Sequence, residues 1–115
     1  MAAEKQFEDK IKAYLKERGH WFVKYFANRN TRAGVPDILA CVRGRFVAIE
    51  VKASTGKPSE LQLYNVRQIR QAGGIAIVLY PERFDDFKRL ISDIETGKYQ
   101  DWKQYRFDNV KQSYI

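Results

Sequence analysis

The sequence has very few of the side chains that form crosslinks and soft-metal sites. Among its 115 residues there is one cysteine, Cys41, and one histidine, His20. A disulfide within the chain is therefore impossible, and zinc sites built from several Cys or His ligands are excluded. A single histidine also leaves little material for imidazole-based catalysis. Catalysis by this chain would depend on carboxylates, lysine or a metal ion held by oxygen ligands.

Long apolar segments are missing as well. No stretch approaches the roughly 18 apolar residues that suggest a membrane-spanning helix. The first five residues, MAAEK, contain no apolar core of the kind that a signal peptide has. We therefore expect a cytoplasmic protein with no membrane partner.

Acidic residues are outnumbered by basic ones, and the excess lies in the first half. The chain has 21 Lys and Arg against 14 Asp and Glu, for a net charge of +7. Residues 1–58 contain 12 basic and 6 acidic residues, whereas residues 59–115 contain 9 and 8. A basic half of a small domain indicates a polyanionic partner, most often nucleic acid. A solvated basic surface without a partner explains the charge equally well.

Hydrophobic periodicity predicts a single domain, residues 1–115, of the α/β class. The expected architecture is a mixed central sheet flanked by helices, with the element order α-β-β-β-α-β-α and a core over about residues 3–94. The aromatic and basic tail, residues 98–115, has no clean periodicity and is left unassigned. The pattern predicts helices over 3–18, 59–72 and 81–96, and strands over 21–26, 37–42, 46–52 and 75–80.

Two carboxylates are predicted to face each other across the central hairpin. If Arg43 and Gly44 form a two-residue turn, Val42 pairs with Arg45, and Asp37 then lies opposite Glu50. A three-residue turn would shift this register by one. Like charges about 5 Å apart on a sheet are destabilising unless something compensates for them. A hard divalent cation such as Mg²⁺ is the natural compensation.

Three further polar residues each have an ordinary structural explanation when taken alone. Lys52 shares a face of its strand with Glu50, as a pair at a solvated sheet edge would. Glu8 borders the apolar stripe of the first helix, where an acid near a helix N-terminus is favourable. Gln62 follows Ser59 at the spacing of a capping box.

Together, Glu8, Gly34-Val-Pro-Asp37, Glu50-Val-Lys52 and Gln62 resemble the PD-(D/E)xK nuclease superfamily. More narrowly, they are similar to its VRR-NUC branch of small stand-alone domains from phages and bacteria. The resemblance runs from about Glu8 to Tyr80. It implies a restriction-endonuclease-like core and a Mg²⁺- or Mn²⁺-dependent endonuclease that hydrolyses DNA phosphodiester bonds, with branched or junction DNA among the substrates. It also implies the cytoplasm of a bacterium or of a phage-infected host cell.

The resemblance assigns roles to individual residues. Asp37 and Glu50 match the metal-binding acids, and Lys52 matches the lysine that orients the attacking water and stabilises the developing charge. It further implies that the carbonyl of Val51 completes the inner shell of the metal, that Glu8 acts on it directly or through water, and that Gln62 lies close to the site. Lys24 stands where similar proteins often carry a basic residue. The residues expected along the DNA backbone are Lys24, Arg29, Arg32, Arg43, Arg45 and Lys57.

Two interpretations from other classes stay open. A non-catalytic nucleic-acid-binding module would use the basic half and the aromatic residues equally well. Such a module gains nothing, however, from carboxylates that converge on a surface facing a polyanion. A structural subunit could instead dock through residues 98–115. If the substrate is a four-way junction, a homodimer is expected, and the aromatic tail either forms its contact or packs back on its own sheet.

Overall fold

A computed structural model describes residues 2–105 of the chain. They form the predicted order of elements, which confirms an α/β fold consistent with a restriction-endonuclease-like core. The helices are α1 (Ala2–Glu17), α2 (Glu60–Gln71) and α3 (Phe84–Glu95), and the strands are β1 (Trp21–Lys24), β2 (Ile38–Val42), β3 (Arg45–Val51) and β4 (Ile75–Leu79). Short 3₁₀ turns lie before α3, at Pro81–Arg83, and after it, at Trp102–Gln104.

The four strands form one mixed sheet in the order β1-β2-β3-β4. The first two pairings are antiparallel, and β3 pairs with β4 in parallel. Arg43 and Gly44 have φ values of 50° and 82°, as a two-residue hairpin turn requires. Val42 pairs with Arg45 and Ile38 with Ile49. The predicted register of the hairpin is therefore confirmed.

Helices cover the two faces of the sheet unequally. One face packs against α1 and α3 and forms the larger core cluster, in which Ile11, Ile49, Phe87 and Ile91 are fully buried. The other face packs against α2 through a smaller cluster that includes Ala48, Val66 and Val78. Because this smaller cluster draws mainly on β3 and β4, that face is left more open at β1 and β2. Trp21 on β1 remains 64% exposed.

Two element boundaries differ from the prediction by more than one residue. Strand β1 ends at Lys24 rather than Phe26, because only one further backbone bond, from Tyr25 N to the Asp37 carbonyl, continues the pairing before the polar loop begins. Helix α3 begins at Phe84 rather than Pro81, since a 3₁₀ turn with Pro81 at its first position precedes it.

The described part of the predicted tail packs against the chain itself. Tyr105 is 2% exposed and belongs to the larger core cluster. Its ring stacks on that of Tyr99 at 6.1 Å. Residues 106–115, the rest of the predicted tail, lie outside the described residues. No helix within residues 2–105 is long and apolar enough to cross a membrane.

Gly34 brings the loop before β2 directly onto α2. Its φ is +80°, and a Cβ atom there would lie 2.6 Å from Leu61 Cγ and 2.8 Å from Asn65 Nδ2. Only glycine has both the conformation and the size for this approach. The contact sets where the chain enters β2, and therefore where Asp37 lies.

Candidate active site

Four of the predicted catalytic residues, Glu8, Asp37, Glu50 and Lys52, meet at one end of the sheet. β1 and β3 end there and β2 begins there, since β2 runs antiparallel to both neighbours. Lys24 is the last residue of β1, Asp37 immediately precedes β2, and Glu50 is the next-to-last residue of β3. Glu8 reaches the same place from α1 through its contact with Lys24. The order of the strands thus gathers residues that are distant in sequence.

Asp37 uses both of its carboxylate oxygens. Oδ2 accepts a hydrogen bond from the backbone N–H of Val51 at 2.8 Å. Oδ1 lies 3.4 Å from the Nζ of Lys24. Asp37 is therefore held against the end of β3 on one side and against β1 on the other.

Glu50 is the most deeply buried acid of the site. Its side chain is 2% exposed, and Lys52 Nζ lies 3.4 Å from its Oε2. Within residues 2–105, its Oε1 is buried and has no hydrogen-bond partner. Burial and the nearby Asp37 raise the pKa of Glu50, Lys52 opposes both effects, and the resulting pKa is about 8. A buried carboxyl oxygen without a partner is costly and calls for an explanation.

Glu8 is buried but fully paired with lysines. Its Oε1 lies 2.7 Å from Lys24 Nζ, and its Oε2 lies 3.1 Å from Lys12 Nζ. Burial acts to raise the pKa of Glu8, but the ammonium groups of Lys24 and Lys12 outweigh it and lower that pKa. Lys12 was not identified from the sequence, although its position four residues after Glu8 on a helix was the available signal.

The donor atoms fit a divalent cation at Asp37 and Glu50. Both supply hard oxygen ligands, and the unpartnered Oε1 of Glu50 is an available one. Across residues 2–105, however, no three Asp, Glu, His or Cys side chains form a group that could hold a metal ion. The position between Glu8 and Asp37 is occupied by the ammonium group of Lys24. The inner-shell roles of Glu8 and of the Val51 carbonyl stay predictions.

Gln62 forms the capping box that the sequence indicated. The backbone N–H of Ser59 donates to its Oε1 at 2.8 Å, and its own backbone N–H donates to Ser59 Oγ at 3.1 Å. Gln62 thus stabilises the start of α2. Its role beside the reacting groups stays a prediction.

The basic residues predicted to contact DNA lie at two ends of the sheet. Arg29 and Arg32 are exposed in the loop that joins Lys24 to Asp37, and Lys57 is exposed in the loop after β3. Arg43 and Arg45 lie at the hairpin turn, at the far end of β3 from Glu50. Five residues of strand span about 17 Å. These two arginines are therefore remote from the carboxylates, and all the DNA contacts stay predictions.

Comparison with known families supports a nuclease site. The family model described as archaeal Holliday junction resolvase (Hjc) matches residues 2–107 of the chain. That family is part of the PD-(D/E)xK nuclease superfamily, so the broader resemblance is confirmed, whereas the narrower VRR-NUC assignment is not. No curated protein matches the chain.

Proposed function

Because this chain belongs to the archaeal Holliday junction resolvase family, we propose that it is a metal-dependent endonuclease that cleaves phosphodiester bonds in four-way DNA junctions. The observation that carries the proposal is the meeting of Asp37, Glu50 and Lys52 at one end of the sheet, where Glu50 also has a buried oxygen, Oε1, with no partner in the described chain. Nothing in the packing of a sheet end calls for such an oxygen. A cation-binding nuclease site accounts for it.

Asp37 and Glu50 are the residues that would hold a Mg²⁺ or Mn²⁺ ion. Such an ion, when bound, supplies positive charge at the phosphate and makes water a nucleophile near neutral pH. Lys52, beside Glu50, donates to the attacking water or to a phosphate oxygen and stabilises the negative charge that develops on it. The exposed Arg29, Arg32 and Lys57 at the same end neutralise the DNA backbone.

A four-way junction carries two equivalent strands to be cut, so its resolution calls for two active sites related by two-fold symmetry. We therefore extend the proposal to a homodimer. The described part of the tail, residues 98–105, contributes Tyr105 to the chain's own core. The sheet face that packs against α2 has an open part that the helix does not cover, and this part offers a better dimer contact than the tail does.

An exposed apolar row crosses that open part of the sheet. Trp21 pairs with Cys41, and Cys41 pairs with Phe46. Trp21 is 64% exposed, Phe46 is 45% exposed, and Cys41 is also exposed. Two large apolar side chains flanking an exposed cysteine across three adjacent strands are typical of an interaction surface. We propose that this row, Trp21-Cys41-Phe46, packs against the same row of a second copy.

The test of the activity is a cleavage panel. Labelled four-way junction, flap and linear duplex DNA of shared sequence are incubated with the protein in Mg²⁺, Mn²⁺ or EDTA. We expect paired cuts in the junction with either metal, and none in EDTA. Lys16→Ala, on the exposed end of α1, is the charge-matched control for Lys52→Ala, which should be inactive.

Three outcomes would overturn the proposal. Cleavage that continues in EDTA contradicts the metal dependence, and equal cutting of junction and duplex contradicts the substrate. Tight junction binding without cleavage in any metal would instead support the non-catalytic binding module.

A further inference from the structure

Three lysines contact the acids of the candidate active site. Lys52 lies 3.4 Å from Glu50, and Lys12 lies 3.1 Å from Glu8. Lys24 differs from both because it contacts two of the site's acids. Each of the three acids, Glu8, Asp37 and Glu50, is thus in contact with at least one lysine.

The ammonium group of Lys24 lies between two acids that come from different parts of the chain. Its Nζ is 2.7 Å from Glu8 Oε1 and 3.4 Å from Asp37 Oδ1. Its side chain is 22% exposed, so water screens these contacts only in part. A cation shared by Glu8 and Asp37 would need the position that this ammonium group holds.

We propose that Lys24 is an internal counter-ion that competes with the divalent cation for Asp37 and Glu8. The inference rests on the proposed function, because it requires Asp37 to hold a metal ion. A metal ion bound to Asp37 and the ammonium group of Lys24 would repel each other if both stayed in contact with that carboxylate. Lys24 must therefore withdraw from Asp37 when the metal binds. The flexible four-carbon stem of lysine permits this movement. Lys24 thereby weakens metal binding and stabilises the metal-free site.

Lys24→Met and Lys12→Met separate this role from a general effect of charge. Each variant removes one positive charge, each loses a contact with Glu8, and the two lysine side chains have similar exposures of 22% and 25%. Only Lys24 also contacts Asp37. Lys24→Arg keeps the charge and serves as the conservative variant.

The experiment measures Mn²⁺ affinity by titration calorimetry without DNA, together with melting temperatures in EDTA. For Lys24→Met we expect a Kd about tenfold lower than that of the wild type, which is about 1.4 kcal/mol, and a lower melting temperature in EDTA. For Lys12→Met and Lys24→Arg we expect Kd values within about threefold of the wild type.

The outcomes distinguish failure of this inference from failure of the proposed function. A wild type that binds Mn²⁺, with Lys24→Met binding it equally or less tightly, overturns the competition and leaves the nuclease proposal standing. If neither the wild type nor Lys24→Met binds Mn²⁺, both proposals are overturned. If Lys24→Met does not fold, Lys24→Gln, which can still hydrogen-bond to Glu8, takes its place with the same expected gain in affinity.

Discussion

The carboxylate of Asp37 accepts a hydrogen bond from the backbone N–H of Val51 at 2.8 Å. Asp37 stands just before β2, and Val51 is the last residue of β3. The bond therefore ties the start of one strand to the end of its neighbour, directly beside Glu50. Asp37 thus has a structural task as well as its proposed metal-binding one, and two substitutions can separate them.

Asp37→Asn should retain stability and lose metal binding. The amide oxygen can still accept from Val51, while loss of the attraction to Lys24 is offset by loss of the repulsion from Glu50. Asp37→Ala leaves the Val51 N–H without its acceptor and should be less stable by about 1–3 kcal/mol. Urea unfolding in EDTA and in Mn²⁺ measures both effects. Equal stability of the two variants would contradict the structural role, and a full Mn²⁺ stabilisation in Asp37→Asn would contradict the metal role.

Lys52→Met should reduce turnover far more than DNA binding, because its charge acts mainly in the transition state. We expect a single-turnover rate in Mn²⁺ at least about 100-fold below that of the wild type, with junction affinity in EDTA changed by less than about threefold. Lys57→Met is the matched control, since Lys57 is exposed in the loop that follows. It should weaken binding at low salt and leave the rate at saturating DNA nearly unchanged. If Lys52→Met weakened junction binding and kept the wild-type rate, Lys52 would not be part of the active site.

Trp21→Ser should convert a dimer to a monomer, because it removes the largest side chain of the Trp21-Cys41-Phe46 row. Phe26→Ser is the control, since Phe26 is 74% exposed but lies beyond the end of β1. Sedimentation velocity should show dimers for the wild type and for Phe26→Ser. A short bis-maleimide should also join two wild-type chains through Cys41, the only cysteine. A monomeric wild type, or a dimeric Trp21→Ser, contradicts this interface.

Glu95 should make the fold sensitive to acid. Its carboxylate pairs with the guanidinium of Arg18, and its Oε2 lies 2.6 Å from His20 Nε2. The hydrogen bond from Arg18, opposed by burial and reinforced by His20, lowers the pKa of Glu95 to about 2 from an ordinary 4.5. A lowered folded-state pKa adds stability above pH 4.5, and that stability is lost as the pH falls through about 2.

Glu95→Gln should therefore melt below the wild type at pH 7, and the difference between the two should shrink as the pH falls below 4.5. Melting curves from pH 7 to pH 2 measure it. Glu60→Gln, an exposed acid of α2, is the control and should show little difference at any pH. If the melting temperature of Glu95→Gln is as far below that of the wild type at pH 2 as at pH 7, packing, and not charge, stabilises this contact.

The central hairpin shows what could be predicted from sequence. Gly44 and its neighbour Arg43 identify a two-residue turn, and the alternation of strand side chains carries that register outward to Asp37 and Glu50. The Ser59–Gln62 capping box was equally predictable from the sequence, because both partners lie within one helical turn. The boundary of α3 was missed by a few residues, since Pro81 can begin either a 3₁₀ turn or an α-helix.

By itself the sequence determined the α/β order, the register of the hairpin and the acids that this register aligns. The element order depends on hydrophobic periodicity, and the register and its aligned acids depend on turn geometry and hairpin pairing; all of these act between residues close along the chain. Only the tertiary structure decided that Lys24 lies between Glu8 and Asp37, that Glu50 Oε1 is left unpartnered among residues 2–105, and that α2 leaves Trp21 open. These contacts join elements far apart in sequence, so they depend on how whole helices and strands pack, which local patterns do not specify.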